Sequence, residues 1–397
     1  MSEARVNNLS NESSTGGPTI TGITTFSGTN YFVPPVGSTS ERPDNPQKGA
    51  IRFNTDSKHL EYFRGDTIGW VEIEASNHEL GGGTGSNAGL GTRGLFIAGF
   101  VPSTSQDNTI DYVTISTLGN AVDFGDNTQR VFQDGVCSSR TRSFALGGSG
   151  VSAQKKEIST NIFASLGNGT DFGDLSDLNY GNKGLSDATR GMSVAGEGPS
   201  SSAGLNLMEY FTMASTGTVK DFGDITAGLR IGPYTTMNAT RGVIAGGRTA
   251  SPGTAAHHNN IEYVTIQTTG NTIDFGDLYL AGAAGGMSGS VCNGTRGFMV
   301  AGYNWPTSPS TSYNVIQYVT TATLGNSQDW GDLLAARTGG ALCCSPIRGV
   351  TACGSNPGLT NSIECYSIVT TGNAVDFGDV ATARRTVAGA SNGHGGL

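Results

Sequence analysis

The sequence predicts an all-β fold built from repeated four-stranded sheets, and three observations support that prediction. Of the 397 residues, 61 are glycine and only 14% are charged, which is typical of short strands joined by tight turns. The tetrapeptide Asp-aromatic-Gly-Asp occurs six times, roughly every 50 residues. Between its copies, apolar and polar residues alternate over short runs bounded by Gly, Asn and Ser. A motif repeated in this way indicates architecture before it indicates chemistry.

Two landmarks define the repeated unit. The first is the leading aspartate of each motif, and its copies are Asp123, Asp171, Asp221, Asp274, Asp329 and Asp376. The second is an arginine that in most copies follows a threonine, and its copies are Arg93, Arg142, Arg190, Arg241, Arg296 and Arg348. Because both series advance by about 50 residues, they mark one and the same structural unit.

The repeated aspartates and arginines are interpreted as structural. Aspartate at a tight turn accepts hydrogen bonds from backbone N–H groups and glycine tolerates positive φ, so the motif predicts a strand-to-loop corner. Its aromatic residue is expected to pack between units. We expect each repeated arginine to pair with a repeated aspartate. A ligand clamp made of the arginines, and a calcium site made of the aspartates, are the alternatives.

Each unit resolves into four short predicted strands. A four-stranded sheet on its own exposes edges and apolar faces, so copies of it are expected to stack in a ring. The first unit begins at Thr92 with its second strand, and the chain ends in residues 383–393, which match the small-residue strand of the other units. We therefore predict that the C-terminal strand completes the first unit and that six units close the ring.

The order of landmarks within a unit resembles a known repeat. A strand ending in Gly-Gly, a strand containing Tyr, an aromatic in the next strand and an Arg before a small-residue strand follow one another, as in residues 332–354. This order resembles the kelch repeat of β-propellers. The resemblance covers residues 92–397 and implies a six-bladed kelch-like β-propeller whose first blade is closed by the C-terminal strand.

The first quarter of the chain has a different composition. Residues 1–30 are rich in Ser, Thr, Asn and Gly and predict a flexible or extended anchoring arm. Residues 31–78 contain alternating runs with hairpin turns between them and predict a small β module. Residues 79–91 are predicted to form a glycine-rich linker to the propeller at residues 92–397.

Part of the small module carries a second resemblance. Residues 42–70, RPDNPQKGAIRFNTDSKHLEYFRGDTIGW, resemble a β motif of bacteriophage tail-fibre and other virion proteins. With the preceding GPTITGITTFSGTNYFVPPVG and the repeated YVTIxTTGNxxDFGD pattern, the chain is similar to virion proteins of tailed phages of marine bacteria, especially cyanophages. The resemblance implies a structural protein of the virion, assembled in the host bacterial cytoplasm.

Two roles in the virion follow from that resemblance. The first is a tail fibre or appendage component that is anchored to other virion proteins by its N-terminal region and displays the propeller for attachment to a host-surface glycan or protein. A homotrimer would fit this role. The alternative is a head decoration, collar or adaptor protein whose propeller contacts other virion subunits.

Composition and motifs argue against several other functions. The formal net charge of -9 and the lack of a basic run exclude an electrostatic grip on nucleic acid, and no apolar run is long enough for membrane insertion. Asp-Phe-Gly occurs in kinases with a His-Arg-Asp loop, which the chain lacks. With five histidines and no hydrolase or metalloprotease motif, we predict no enzyme, no cofactor and no metal. A glycan-active enzyme or a kelch-type oxidase is the third interpretation.

The loops after the second strands vary most between units, and loops on a rigid scaffold are where recognition usually occurs. Their aromatic and imidazole side chains could contact a glycan or a protein. The candidate ligand-binding residues are Tyr303, Trp305, Tyr313, His257 and His258. The alternative is that these loops only cover the propeller or pack against a neighbouring virion subunit.

Overall fold

The computed structural model describes residues 33–57, 59–73, 92–199, 204–249, 256–280, 287–304, 311–355 and 357–397. These residues form β-strands and a single turn of 3-10 helix, so the all-β prediction is confirmed. Within these ranges no helix is long and apolar enough to cross a membrane. The predicted arm, residues 1–30, and the predicted linker, residues 79–91, lie outside the described residues. The chain divides into two compact units, residues 1–77 and 78–397.

The first unit contains one four-stranded sheet. Its strands are Val36–Gly37, Ile51–Asn54, Leu60–Phe63 and Trp70–Glu72, and the 3-10 turn is Thr39–Glu41. The first strand pairs in parallel with the second, whereas the later neighbours are antiparallel. The last three strands lie where the alternating pattern predicts strands.

Alternation gives this small sheet a polar face and an apolar face. On the polar face Glu61 is fully buried and accepts hydrogen bonds from Arg42 and Arg52. The hydrogen bond from Arg42 lowers the pKa of Glu61 and outweighs burial, which raises it. Ile51 and Leu60 occupy the opposite face and are exposed. A slip of register by one residue would leave the buried carboxylate unpaired, so this cluster specifies the pairing.

The described residues of the second unit contain six groups of four antiparallel strands, which we call sheets 1 to 6. Sheet 1 contains Ala388–Ser391, Arg93–Gly99, Asp107–Thr114 and Val122–Phe132. Sheet 2 contains Gly135–Ser138, Arg142–Gly150, Gln154–Ile162 and Thr170–Asp174. Sheet 3 contains Lys183–Ser186, Arg190–Val194, Leu207–Thr212 and Lys220–Asp224. In each sheet we call these the first to fourth strands, in the order of their pairing.

Sheets 4 to 6 follow the same order. Sheet 4 contains Tyr234–Met237, Arg241–Ala245, Asn260–Thr265 and Ile273–Asp277. Sheet 5 contains Val291–Cys292, Arg296–Asn304, Thr311–Thr320 and Gln328–Asp332. Sheet 6 contains Ala341–Cys344, Arg348–Ala352, Ser362–Ser367 and Val375–Asp379.

Additional pairings extend these groups. The hairpin of Arg248–Thr249 and Ala256–His257 follows the second strand of sheet 4. Ser288–Gly289 pairs in parallel with the first strand of sheet 6. The end of the long fourth strand of sheet 1 pairs with the second strand of sheet 2 and joins these two sheets.

The C-terminal strand pairs with the strand that begins the repeats. Ala390 lies opposite Leu95, and Ala388 opposite Ile97, in an antiparallel ladder. Sequence comparison of the repeats predicts this pairing, because the first unit lacks its own small-residue strand. Sheet 1 is therefore built from residues that are almost 300 positions apart in the chain.

The Asp-aromatic-Gly-Asp motif forms the last four residues of the fourth strand in sheets 2 to 6, and it is a bulge of that strand where we expected a turn. In sheet 2, Ile158 lies opposite Gly173 and Ser159 opposite Asp171, so that Phe172 forms a bulge. The same register shift occurs at the motif in the other five sheets. The bulge turns the aromatic ring into the core and requires a positive φ at the glycine, which is +156° at Gly173.

The motif glycine also contacts the next sheet. A Cβ atom on Gly125 would lie 2.6 Å from the carbonyl carbon and oxygen of Gly167, in the turn before the fourth strand of sheet 2. Gly167 N–H donates to the Phe124 carbonyl at 2.9 Å, and Asp126 N–H donates to Oδ1 of Asn168 at 3.0 Å. We call this contact between two glycines the clasp. It recurs at Gly173–Gly217, Gly223–Gly270, Gly276–Gly325, Gly331–Gly372 and, between sheets 6 and 1, Gly378–Gly119.

Six buried apolar clusters between neighbouring sheets form the core of the second unit, and each contains one aromatic of the motif. Phe172 of sheet 2, for example, packs against Phe211 of sheet 3 with ring centroids 5.5 Å apart. Phe377 of sheet 6 shares a cluster with Ile115 of sheet 1. The motif aromatics therefore pack between repeats, as predicted.

The repeated arginines do not pair with the repeated aspartates. Arg190 Nη1 donates to the Ile266 carbonyl of the next sheet at 2.7 Å, and its guanidinium lies 4.2 Å from the ring centroid of Tyr210. Arg348 of sheet 6 donates in the same way to the Ile115 carbonyl of sheet 1. The leading aspartates are exposed, and none of the ion pairs among the described residues joins them to these arginines. The expected pairing was wrong because the guanidinium reaches a backbone carbonyl across the sheet interface.

Candidate functional site

The described connections from the fourth strand of one sheet to the first strand of the next lie at one end of the sheets, and we call them the collar. Five of them contain a residue with positive φ, and these are Gln133, Gly181, Gly232, Gly339 and Thr386. Backbone N–H groups donate from one connection to the next, from Gly232 to the Gly181 carbonyl at 2.8 Å and from Gly181 to the Gln133 carbonyl at 2.7 Å. These hydrogen bonds join three of the connections in series.

Residues of the collar line a cavity of about 420 Å³. Each of the six sheets, or the connection that precedes it in the chain, contributes a residue to the lining of the cavity. These residues are Phe100, Gln133, Lys183, Arg248, Tyr303 and Thr338. The volume falls within the range of roughly 300–1,000 Å³ that is usual for small-molecule sites.

A buried ion pair ties the collar to sheet 4. Arg230 is fully buried two residues before Gly232, and its Nη2 lies 2.5 Å from Oε2 of Glu262 in the third strand. Its Nη1 donates at 3.1 Å to the carbonyl of Gly246, which follows the second strand. The guanidinium therefore joins three chain segments through charge-assisted hydrogen bonds.

Sheets 6 and 1 contain buried ion pairs at the equivalent position. Arg337 donates to the carboxylate of Glu364 and to the carbonyl of Cys353. Arg384 Nη2 lies 2.5 Å from Oδ2 of Asp111. Both arginines are at most 2% exposed, so their charges depend on these partners. The sequence contains a signal for these buried arginines that sequence reasoning missed: each one follows the Asp-aromatic-Gly-Asp motif at a nearly constant distance.

Sheet 3 replaces the arginine with an amide. Asn179 Nδ2 donates to the Ala195 carbonyl at 3.0 Å, which is the place of the Gly246 carbonyl in sheet 4. The third-strand carboxylate remains as Glu209, whose partner is the Ser176 N–H at 3.3 Å. Burial raises the pKa of Glu209, and the hydrogen bonds from Ser176 offset this effect only in part.

Glu262 and Glu364 occupy equivalent places and differ in their donors. Burial raises the pKa of Glu364, and the Arg337 guanidinium offsets this effect only in part. Burial acts in the same direction on Glu262, but hydrogen bonds from the hydroxyls of Thr226 and Thr272, both 2.7 Å long, bring its pKa below the ordinary value. The pair in sheet 4 is therefore the more completely satisfied of the two.

A buried acid and a buried base lie at the wall of the cavity. Lys183 lines the cavity and is only 4% exposed, and Asp134 behind it is fully buried. Neither carboxylate oxygen of Asp134 accepts a hydrogen bond from another described residue. Burial raises the pKa of Asp134 to about 7 and lowers that of Lys183 to about 8, while each charge partly stabilises the other. The charge of each group therefore offsets part of the cost of burying the charge of the other.

Arg385 extends beside an aromatic pair on the cavity wall. The rings of Phe100 and Phe132 meet edge to face, with centroids 6.1 Å apart. The Arg385 guanidinium lies 4.7 Å from the Phe100 ring centroid, and two backbone hydrogen bonds of 2.7 and 3.1 Å join the same two residues. Arg385 is exposed, and no carboxylate among the described residues forms an ion pair with it.

The two predicted tyrosines lie on different faces of sheet 5. Tyr303 lines the cavity together with Ser312, which stands opposite it in the ladder. Tyr313 stands opposite Gly302 and packs against the apolar cluster between sheets 4 and 5. Successive residues of a strand point to opposite faces of the sheet. Ser312 shares the cavity face with Tyr303, so Tyr313, the next residue, points to the other face.

The two predicted histidines lie beside the cavity and outside its lining. His257 stands opposite the cavity residue Arg248 in the short hairpin, and His258 Nε2 lies 2.8 Å from Oγ1 of Thr249. Burial lowers the pKa of both imidazoles, which are therefore neutral at pH 7. Trp305, the fifth predicted residue, lies outside the described residues.

Sequence reasoning missed most of the cavity wall. Lys183, Arg248 and Arg385 come from three separate repeats, and no motif contains them. A weak signal existed, because the position after the buried arginine differs from repeat to repeat and holds Ile231, Thr338 or Arg385. Variation at one place in an otherwise regular repeat is typical of a site on a scaffold.

Neither metal binding nor a known relative identifies the site. Within the described ranges, no three His, Cys, Asp or Glu side chains come together in a way that could hold a metal ion. All six cysteines are buried and unpaired. A scan against protein-family models gives no match, and neither does a search of curated proteins. The fold and site therefore define a class, an all-β repeat protein with a cavity of cationic, polar and aromatic side chains drawn from several repeats.

Proposed function

We propose that residues 92–397 form a closed six-bladed kelch-like β-propeller in which each of sheets 1 to 6 is one blade. The contacts between sheets 6 and 1 support this proposal. The clasp at Gly378–Gly119 repeats that of every other neighbouring pair, and the hydrogen bond from Arg348 to the Ile115 carbonyl repeats those of Arg93, Arg190 and Arg241. A crystal structure in which sheets 6 and 1 lay apart would contradict it.

We propose further that the protein is a non-enzymatic structural component of a tailed-phage virion, in a tail fibre or appendage, and that the propeller attaches the particle to the host surface. The observation that carries the attachment role is the cavity of about 420 Å³ at the collar, with a lining from all six sheets. The described part of that lining contains no His, Cys, Asp or Glu, which suits binding better than acid–base or nucleophilic catalysis.

In this proposal the N-terminal region contacts other virion proteins and the propeller faces outward. The resemblance of residues 42–70 to phage virion proteins supports this division, and a homotrimer fits it. The protein would be assembled into particles in the cytoplasm of the bacterial host. It would bind neither nucleic acid nor a membrane interior, as the charge and the hydropathy of the sequence predict.

Binding of the labelled full-length chain to host cells tests the attachment role. We expect saturable binding that Tyr303→Ala weakens about tenfold or more, because an aromatic contact on the cavity wall is lost. Tyr279→Ala is the matched control, since Tyr279 is 64% exposed and outside the cavity lining, and it should bind like the wild type.

The alternative role gives the opposite result in the same assay. A head decoration, collar or adaptor protein would not bind host cells. Antibody labelling of intact particles would then place the chain on the head or neck, and attachment through the cavity would be excluded.

A further inference from the structure

The cavity has a charge opposite to that of the chain as a whole. The chain carries a formal net charge of -9, whereas the described lining contains Lys183, Arg248 and Arg385 and no carboxylate. A concave site lined by one sign of charge, with low-dielectric walls, concentrates ions of the opposite sign. The cavity is therefore suited to a negatively charged ligand.

Two adjacent arginines show that this charge is not required by the fold. Arg384 is fully buried and forms an ion pair with Asp111, so its role is structural. Arg385, the next residue, is exposed, forms no ion pair among the described residues and lines the cavity. Its contacts with Phe100 hold its backbone and guanidinium in place before a ligand arrives. A preorganised guanidinium is a good donor to carboxylate or phosphate.

Lys183 supplies a second, deeper cation. Its side chain is nearly withdrawn from water, and its nearest compensating charge is Asp134, which accepts no hydrogen bond from another described residue. A desolvated ammonium ion interacts more strongly with an incoming anion than an exposed one does. Lys183 in sheet 3 and Arg385 in the connection to the C-terminal strand are far apart in sequence and line one cavity.

Arg248 is the third cation, and it has an acidic neighbour. Its charge acts on Tyr180, whose pKa is raised by burial and by Glu197 and lowered by Arg248. Glu197 does not line the cavity. The acid therefore reduces the charge on this side of the cavity, so that Lys183 and Arg385 are the stronger candidates for direct contact.

We propose that the cavity binds a sugar residue that carries a negatively charged group, with that group held by Arg385 and Lys183 and the sugar ring against Phe100 and Tyr303. This inference rests on the proposed attachment to a host surface. The aromatic walls fit the apolar face of a sugar, and the cations select for charge. A neutral sugar would leave the buried Lys183 without a new partner, so it should bind more weakly.

Calorimetric titration of the full-length chain with three sugars tests this inference. The probes are D-glucuronate, D-glucose 6-phosphate and D-glucose, which differ in the charged group. We expect at least one charged sugar to bind about tenfold or more tightly than glucose, because a hydrogen bond to a charged group is stronger than one to a neutral group. Added salt should weaken its binding. Preference for glucuronate assigns a carboxylate, and preference for the phosphate ester assigns a phosphate.

Matched arginine variants separate the cavity from the rest of the surface. Arg385→Ala should lower the affinity for the charged sugar about tenfold, to the level of glucose. Arg140→Ala is the control, since Arg140 is exposed in the turn between the first two strands of sheet 2 and outside the lining, and its affinity should equal that of the wild type. Equal binding of charged and neutral sugars, no binding of either charged sugar, or an unchanged affinity in Arg385→Ala would overturn the inference.

Failure of this inference and failure of the proposed function give different results. If host cells bind the chain and Arg385→Ala has no effect, the attachment role stands and the acidic-sugar site is excluded. If the charged sugar binds in the cavity and host cells do not bind, the site stands and the attachment role is excluded.

Discussion

The two ends of the repeated sheets differ in how far they vary from one repeat to the next. Where the third and fourth strands meet, the clasp recurs between all neighbouring sheets. At the collar, the position after the buried arginine holds Ile231, Thr338 or Arg385. A contact that every interface requires must recur, whereas a side chain that faces the cavity is not constrained in this way. Regularity thus marks the architecture, and departure from it marks the candidate site.

The largest expected effect compares the two adjacent arginines at the collar. Arg384→Met leaves Asp111 buried without its cation, so we expect the free energy of unfolding at pH 7 to fall by about 3–5 kcal/mol. Arg385→Met removes an exposed side chain without an ion pair and should change it by less than about 0.5 kcal/mol. Urea unfolding of both variants measures the difference. Similar losses in the two variants would mean that Arg385 is part of the framework.

A second comparison lies within one clasp. Gly223 and Gly270 have φ values of +135° and +154°, so alanine is strained at either position by about 1–3 kcal/mol. A Cβ atom on Gly223 would also lie 2.6 Å from the backbone of Gly270, whereas one on Gly270 would meet nothing within 4 Å. We expect Gly223→Ala to cost about 1–3 kcal/mol more than Gly270→Ala. Equal thermal unfolding of the two variants would show that the clasp is not a close contact.

The smallest expected effect is a pH dependence at the collar. Burial raises the pKa of Asp134 from 3.8 to about 7, so between pH 5 and 7 the folded chain holds a proton that the unfolded chain has lost. This contribution to stability is complete below pH 3.8 and is lost as the pH rises through about 7. Relative to the wild type, Asp134→Asn should therefore gain stability from pH 5 to 7, by at most about 1.4 kcal/mol per pH unit. Parallel stability curves for the two proteins would show that Asp134 does not titrate in this range.

The framework was largely predictable because its signals are local. Alternating residues predicted the strands, and the missing strand of the first repeat predicted that the C-terminal strand would complete its sheet, as it does at Leu95 and Ala390. The bulge at Phe172 was missed, since a motif with Asp and Gly predicts a turn equally well. The partner of Arg190 was also missed, because a backbone carbonyl leaves no mark in a sequence.

The candidate site was predictable only in part. Variable loops indicated the end of the sheets at which the cavity lies. Of the residues named from sequence, Tyr303 lines this cavity. Tyr313 was excluded by its position in the strand, and His257 and His258 lie behind the wall. Lys183 could not have been found, because it stands in a first strand, where sequence reasoning expects only small core residues.

The sequence by itself determined the strands, the length of the repeat and the glycines at which sheets come together. Each of these follows from interactions between residues that are close in the chain or from a repeated pattern. Only the tertiary structure decided that Phe100, Lys183, Tyr303 and Arg385 share one cavity. They come from four different repeats, and the distance between repeats in space depends on how the sheet interfaces pack, which no single segment encodes.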